Sequence, residues 1–230
     1  MSVLLKAYDL TIGHQDNILY SNVCFDICEG DCIMLCGANG SGKTTLMRAL
    51  ALSGTKGIFP SENVETAMIP ARIPKIKGFT IREFIRTSCY RQSDMGGQLS
   101  QEQEASLDKA MNSLGIIHLA DRDISTLSDG EFQKASIAAA LVRKASIIML
   151  DEPTAFLDAE NRISVLRALR SICKAEGSST TPAVIFSTHD LHDGLAVANK
   201  VIALGADGGF RCTSEQLEET VDTIFHKPQH

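Results

Sequence analysis

An apolar run, Cys32-Ile33-Met34-Leu35-Cys36, leads directly into Gly37-Ala38-Asn39-Gly40-Ser41-Gly42-Lys43-Thr44, after which Leu46, Ala49 and Leu50 recur at helical spacing. Few sequence features narrow the choice of fold so far. The order of buried strand, glycine-rich turn and helix makes the N–H groups of the turn converge with the helix N-terminus on one point, which forms a cradle for a polyphosphate. In such a loop Lys43 reaches the β- and γ-phosphates, and the hydroxyl of Thr44 is placed to hold Mg²⁺.

The rest of the chain supplies a sheet for that strand to join. Ile147-Ile148-Met149-Leu150, Ala183-Val184-Ile185-Phe186 and Val201-Ile202-Ala203-Leu204 are short apolar runs suited to strands buried on both faces. Helical segments alternate with them, so the expected class is α/β with a mainly parallel sheet. Nearer the N-terminus, Val3, Leu5, Ala7, Leu10 and Ile12 approximate a period of two, and the polar break Gly13-His14-Gln15-Asp16-Asn17 precedes a returning strand over 18–28. That pattern predicts a hairpin and a small antiparallel β-subdomain. Residues 53–63, rich in Ser, Gly and Pro, read as loop, and Val64 to Ile69 as a strand ending at Pro70.

From Thr80 to about Leu119 the spacing turns helical, at Ile81, Phe84 and Ile85 and again at Leu107, Ala110, Met111 and Leu114, around a polar stretch from Arg91 to Gln103. This reads as a helical insertion. The expected division of one domain is therefore 1–70 for the β-subdomain and phosphate-loop core, 71–126 for the insertion and 127–230 for the remaining core. The polar tail beyond Gly205 shows a weak helical pattern at Leu217, Val221 and Ile224-Phe225.

Composition excludes some functions. With 230 residues and 44% hydrophobic content, the chain fits one globular domain with a substantial core. A net charge of −6 gives no basic footprint for nucleic acid or an acidic membrane surface. The first residues lack the basic and apolar regions of a secretory signal, and no apolar run reaches membrane-spanning length, which points to the cytosol. Cys24, Cys28, Cys32 and Cys36 stand four apart, a spacing that zinc sites tolerate. Val23, Phe25 and Ile27 alternate with Cys24, Asp26 and Cys28, however, and Glu29-Gly30-Asp31 turns the chain, so the four thiols fall on two strands and read as free core cysteines.

Three further motifs bear on chemistry. Asp151-Glu152-Pro153 ends the 147–150 run, where one carboxylate can serve Mg²⁺ and the other can polarise an attacking water. Leu127-Ser128-Asp129-Gly130-Glu131 precedes an Ala-rich helix from Phe132 to Lys144, and Ser128 and Glu131 have capping-box spacing. A capped helix start beside a glycine is also a good anion receptor, so both readings hold. Ser187-Thr188-His189-Asp190 places an imidazole after the 183–186 run. A strand-terminal acidic turn, or a histidine alone, would carry little; following a phosphate loop they gain meaning together.

In this order along nearly the whole chain, the four signals resemble the nucleotide-binding subunit of an ATP-binding cassette (ABC) transporter. The resemblance implies a Mg²⁺-dependent ATPase in which Gly37 to Thr45 is the Walker A loop, Asp151 the Walker B carboxylate and Glu152 the catalytic base. It further implies that Leu127 to Glu131 is the signature, with Ser128, Gly130 and Glu131 facing nucleotide. Asp158 in Ala155-Phe156-Leu157-Asp158 is then the D-loop acid and His189 the switch histidine. Such domains pair head to tail, each signature closing the partner's site, so a second copy is expected. Membrane permease subunits, and indirectly a substrate-binding protein, are the other implied partners, on the inner face of the cell membrane.

Two stretches depart from the family pattern. An aromatic residue usually stacks on adenine, and here the matching stretch is Ile12-Gly13-His14, with His14 as the stacking candidate and Tyr8 as a fallback. The glutamine that normally follows the strand before the insertion is missing from Met68-Ile69-Pro70-Ala71-Arg72, so the relay residue stays unassigned. Asp129, Phe132-Gln133-Lys134 and the run from Asp151 to Asp158 look similar to importers of iron chelates, haem and cobalamin. An exporter ATPase, and a soluble assembly factor of the iron–sulfur type, share the same nucleotide motifs.

Overall fold

The computed structural model describes residues 2–14, 17–52, 54–88, 99–155, 157–174, 181–205 and 209–225, and at 14 and 222–225 the backbone alone. Gln15 and Asp16 of the hairpin break, most of the polar stretch after Arg91, and Phe156 lie outside the described residues. Two sheets organise the described chain. The larger has six strands in the order β5 (Thr66–Ile69), β6 (Ile147–Leu150), β7 (Ala183–Ser187), β3 (Cys32–Gly37), β8 (Lys200–Leu204) and β9 (Phe210–Thr213). All pairings are parallel except β8 with β9. Every residue of β3, β6 and β7 is buried, which is why these strands are unbroken apolar runs rather than alternating ones.

The smaller sheet orders β2 (Asn17–Cys28), β1 (Val3–His14) and β4 (Ile58–Pro60), all antiparallel. One face of β2 packs inward through Tyr20, Val23, Phe25 and Ile27. The register of β1 shifts between Ala7 and Leu10, where Asp9 takes a φ of 51°. This bulge accounts for the missed beat in the alternation Val3, Leu5, Ala7, Leu10. Within the stretch expected to be loop, Ile58–Pro60 instead adds an edge strand to β1. Pro60 is tolerated there because an edge strand leaves one side unpaired.

Alternate side chains of β3 feed two cores. Ile33 and Leu35 join the small sheet and α1 (Lys43–Ala51) through Leu10, Ile12, Leu46 and Met47. Cys32, Met34 and Cys36 face a helical layer that includes α4 (Asp129–Val142) and α5 (Ala159–Ile172). Each core removes large aliphatic side chains from water at roughly 25 cal/mol per Å², so loss of either would cost several times the stability of a typical domain. The thiols divide by face: Cys32 and Cys36 are buried, whereas Cys28 is half-buried and Cys24 is exposed on the outer face of β2. The expectation of core cysteines therefore fails at Cys24, because its neighbours in the pleat are the inward Val23 and Phe25.

The helical insertion consists of α2 (Ile81–Thr87) and α3 (Gln101–Ser113), both packed on α4. All three helices start with a capping box, at Thr80/Glu83, Ser100/Gln103 and Ser128/Glu131. The insertion is stitched at its base, where Ile81 N donates to Arg122 O, Ile124 N to Phe79 O and Gly78 N to the Asp123 carboxylate. Arg82 bridges Glu104 and Asp108 across α2 and α3. After Gly205 the chain forms β9 before α7 (Leu217–Phe225), so the strand Phe210–Thr213 precedes the expected helix. No helix among the described residues is long and apolar enough to cross a membrane.

Candidate active site

The parallel strands all end on one edge, and the residues singled out from the sequence gather there. β3 delivers Gly37 to Gly42, β6 delivers Asp151 and Glu152, β7 delivers Ser187 to His189, β5 delivers Ala71 and β8 delivers Gly205. Carboxyl ends of parallel strands, at a point where neighbours on either side come from distant parts of the chain, are where open α/β sheets bind ligands.

The loop itself requires glycine at two points. Gly40 has φ 78° and Gly42 φ 94°, and a Cβ on Gly42 would meet Leu19 Cδ1 at 2.7 Å. Ala38, Asn39 and Gly40 are exposed, and with Leu19, Tyr20, Ser41 and Gly205 they wall a cavity of about 210 Å³. Tyr20 braces this wall: its buried hydroxyl lies 2.8 Å from Ser41 O and 3.0 Å from Gly205 O. Lys43, also buried, folds back to donate to Gly37 O at 2.9 Å and Ala38 O at 3.2 Å. Burial lowers its pKa, and the charges of Glu152 and Asp151 act in the opposite sense. Burial also pushes the neighbouring Cys36 thiol up to about 12, which keeps it protonated and unreactive.

The carboxylates are held by contacts that span the sheet. Thr44 Oγ1 donates to Asp151 Oδ2 at 2.6 Å, and Ser187 Oγ donates to Asp151 Oδ1 at 2.8 Å. The same Ser187 oxygen accepts from Glu152 N at 2.8 Å, and Asp151 N donates to Ile69 O at 2.9 Å. Glu152 sits in the left-handed region, with φ 49°, and its Oε1 lies 2.7 Å from His189 Nε2. As a carboxylate only accepts, the imidazole presents Nε2–H in this pair. Ser187 joins Asp151 to Glu152, a role that the sequence marks only by a hydroxyl ending an otherwise apolar strand.

The donor set suits the implied ligands. Ser41 Oγ is buried and has no hydrogen-bond partner among the described residues, as a loop shaped for an anion's oxygens would leave it. Thr44 and Asp151 offer hard oxygen ligands, the kind that Mg²⁺ takes in pairs while keeping its waters.

The residues expected to form the signature stand at the start of α4, where Asp129 lines one groove with Glu152. Ser128 and Asp129 are exposed, whereas Gly130 is buried, since a Cβ there would stand 3.0 Å from the side chain of Asn161 on α5. The Glu131 carboxylate turns back, accepting from Ser128 N at 2.7 Å and Ser128 Oγ at 2.9 Å, while Glu131 N donates to Ser128 Oγ. The hydrogen bond from Ser128 N holds its pKa below the ordinary glutamate value. Asp158, exposed, caps α5 by accepting from Asn161 N at 2.8 Å. Thr45 is exposed on α1. His14 ends β1 and its side chain lies outside the description. Tyr8 lies on a separate depression walled by Cys24, Asp26, Lys200 and Cys212, with no wall in common with the phosphate loop.

Known proteins agree with this architecture. The family model described as "ABC transporter" matches residues 20–155. The achromobactin transport ATP-binding protein CbrD of Dickeya dadantii is 29% identical, with 96% of this chain and 87% of that protein aligned. The ferric enterobactin transport ATP-binding protein FepC of Escherichia coli is 30% identical over 87% of this chain and 78% of its own. Among solved structures, an inward-facing metal-chelate type ABC transporter superposes with a TM-score of 0.84 at 24% identity, covering 98% of this chain and 90% of that one. A chain whose phosphate loop, paired carboxylates and signature helix fall in this order, on this sheet and within this match, belongs to the ABC transporter family as one of its ATP-binding, ATP-hydrolysing subunits.

Proposed function

We propose that this subunit hydrolyses ATP with Mg²⁺ to drive an importer of siderophore-type iron chelates. The observation that carries the chemistry is the contact of Glu152 with His189 beside Asp151, with Ser187 bonded to both Asp151 and the Glu152 backbone. In this reading the loop N–H groups of Gly37 to Thr44 and the Lys43 ammonium cradle the phosphates, with Thr45 alongside. Thr44 and Asp151 would hold Mg²⁺, which when bound would offset the negative charge of the phosphates. Glu152 orients the water and accepts its proton as the oxygen bonds to the γ-phosphorus and the bond to ADP breaks. His189 keeps that carboxylate aimed. Arrangements of this kind act by positioning and electrostatics rather than by covalent chemistry.

The site is half of a pair. We assign exposed Ser128, with Gly130 and the Glu131-capped start of α4, to the nucleotide held by a second copy, with exposed Asp158 at the same seam. Beside that helix start, Ala71, Arg72, Pro74, Lys75, Asp129 and Phe132 line a groove of about 600 Å³ that reaches Glu152. Farther along the same segment, Ile76 and Phe79 are exposed apolar side chains. We assign this groove to a helix of a permease subunit, which would hold the chain on the cytoplasmic face of the membrane and leave cargo selection to the permease and its binding protein. The importer reading, with iron chelate as cargo, rests on the likeness to CbrD and FepC.

Glu152→Gln tests the chemistry: turnover falls by about two to three orders of magnitude while ATP is still bound and a dimer accumulates. Turnover equal to the parent's removes Glu152 as the base. Proteins that copurify from detergent extracts test the setting. A multi-span permease supports the importer, whereas a soluble scaffold alone sinks it.

A further inference from the structure

The segment that lacks the expected glutamine is tied to the signature by a different residue. It leaves the sheet beside the site, where Ile69 O accepts from Asp151 N, and runs without regular structure past Pro70 and Pro74. At Lys75 it is fastened again. The ammonium donates to Leu127 O at 2.8 Å and to Asp129 Oδ1 at 2.6 Å, and lies 5.7 Å from the centre of the Phe132 ring. Thus one side chain reaches the residue before Ser128, the residue after it and the ring one turn into α4.

These contacts matter because of what else holds the loop. Arg122 donates to Thr126 O and Oγ1, and Ser128 and Glu131 cap each other, all within the insertion and its own helix. Gly78, Phe79 and Ile81 tie the same segment to residues 122–124, and Lys75 carries the tie on to Leu127 and Asp129, the residues that flank Ser128. The prolines stiffen the short path, so a shift of the strand end transmits to Leu127 with little slack. A charge-assisted bond to a backbone carbonyl and a carboxylate, with the ammonium also facing an aromatic ring, is among the stronger ways to hold an exposed loop.

We propose that Lys75 is a positioning residue that ties the chain's own nucleotide site to the signature it offers its partner, making the two sites of the dimer report on each other. This rests on the paired-site function proposed above. Lys75 touches no nucleotide in this scheme; it acts through Leu127 and Asp129.

The test compares Lys75→Met and Lys75→Arg in the full-length protein, alone and combined with Glu152→Gln. Methionine keeps an unbranched apolar side chain and removes the charge with both polar contacts, whereas arginine keeps charge and donors. Expected for Lys75→Met are an ATP affinity of the dilute monomer within twofold of the parent, a kcat lower by about tenfold and an ATP-driven dimer weaker by about tenfold in sedimentation. Lys75→Arg recovers most of both losses. Parent-like kcat and dimer strength in a folded Lys75→Met protein overturn the inference, as does an equal loss in the arginine variant. If Glu152→Gln by itself forms no dimer with ATP, the paired-site function fails first and takes the inference with it.

Discussion

The phosphate-loop side and the signature side of this molecule both depend on hydrogen bonds to carboxylates, but the bonds span very different distances along the chain. Thr44 meets Asp151 across 107 residues, and Glu152 meets His189 across 37 and Ser187 across 35. Ser128 and Glu131 satisfy each other three residues apart. The first arrangement exists only when β3, β6 and β7 are in register. The second forms with one turn of helix. A site assembled from distant strands is rigid, and suits the placement of a water and a phosphate. A site built on one helix start keeps its shape while the body carrying it moves, and suits a surface that must meet and leave a partner.

Glu152→Gln strikes the long-range side hardest, with the loss of turnover given above. Next comes Ser187→Ala, which leaves Asp151 Oδ1 and Glu152 N short of a buried partner. Stability falls by about 1–3 kcal/mol and kcat by roughly tenfold, with ATP affinity little changed. Thermal melts beside steady-state kinetics check this, and a variant as active as the parent would show that Asp151 and Glu152 need no common anchor. On the local side, Ser128→Ala removes the cap of α4 at a cost of about 1 kcal/mol. If the signature acts in trans, the same variant weakens the ATP-driven dimer of Glu152→Gln but leaves monomer ATP affinity alone.

The smallest effect is expected where the two sides touch. Ala71 lines the groove that reaches Glu152, and Ala71→Gln restores a side chain able to span it. We expect stimulation by the permease to rise by about twofold, on the order of 0.4 kcal/mol in a barrier, with basal turnover unmoved. No rise in reconstituted vesicles would mean that coupling bypasses position 71.

How much of this could be read from the residues follows the same division between long-range and local structure. Strands β3, β6, β7 and β8 announce themselves because burial on both faces demands unbroken apolar runs. The cap at Ser128 is legible because it is local. Two strands are hidden. Ile58–Pro60 has only three residues in a Gly- and Pro-rich stretch, and Phe210–Thr213 is half-buried with Arg211 in its middle. Tyr20 reads as an ordinary core aromatic, since its partners Ser41 and Gly205 lie 21 and 185 residues away. Ser187 and Lys75 are silent for the same reason. A side chain whose meaning lies in a contact made by folding leaves no periodicity behind.

The backbone of Glu152 has one further consequence. A residue with a Cβ in the left-handed region gives up about 1–2 kcal/mol, and glycine or asparagine would recover part of that. A culture selected only for a protein that survives heat, with no demand for transport, would therefore change this codon early. The chain would gain hardiness by discarding the residue we propose as its base, and a lineage that kept glutamate there would record that hydrolysis had been under selection.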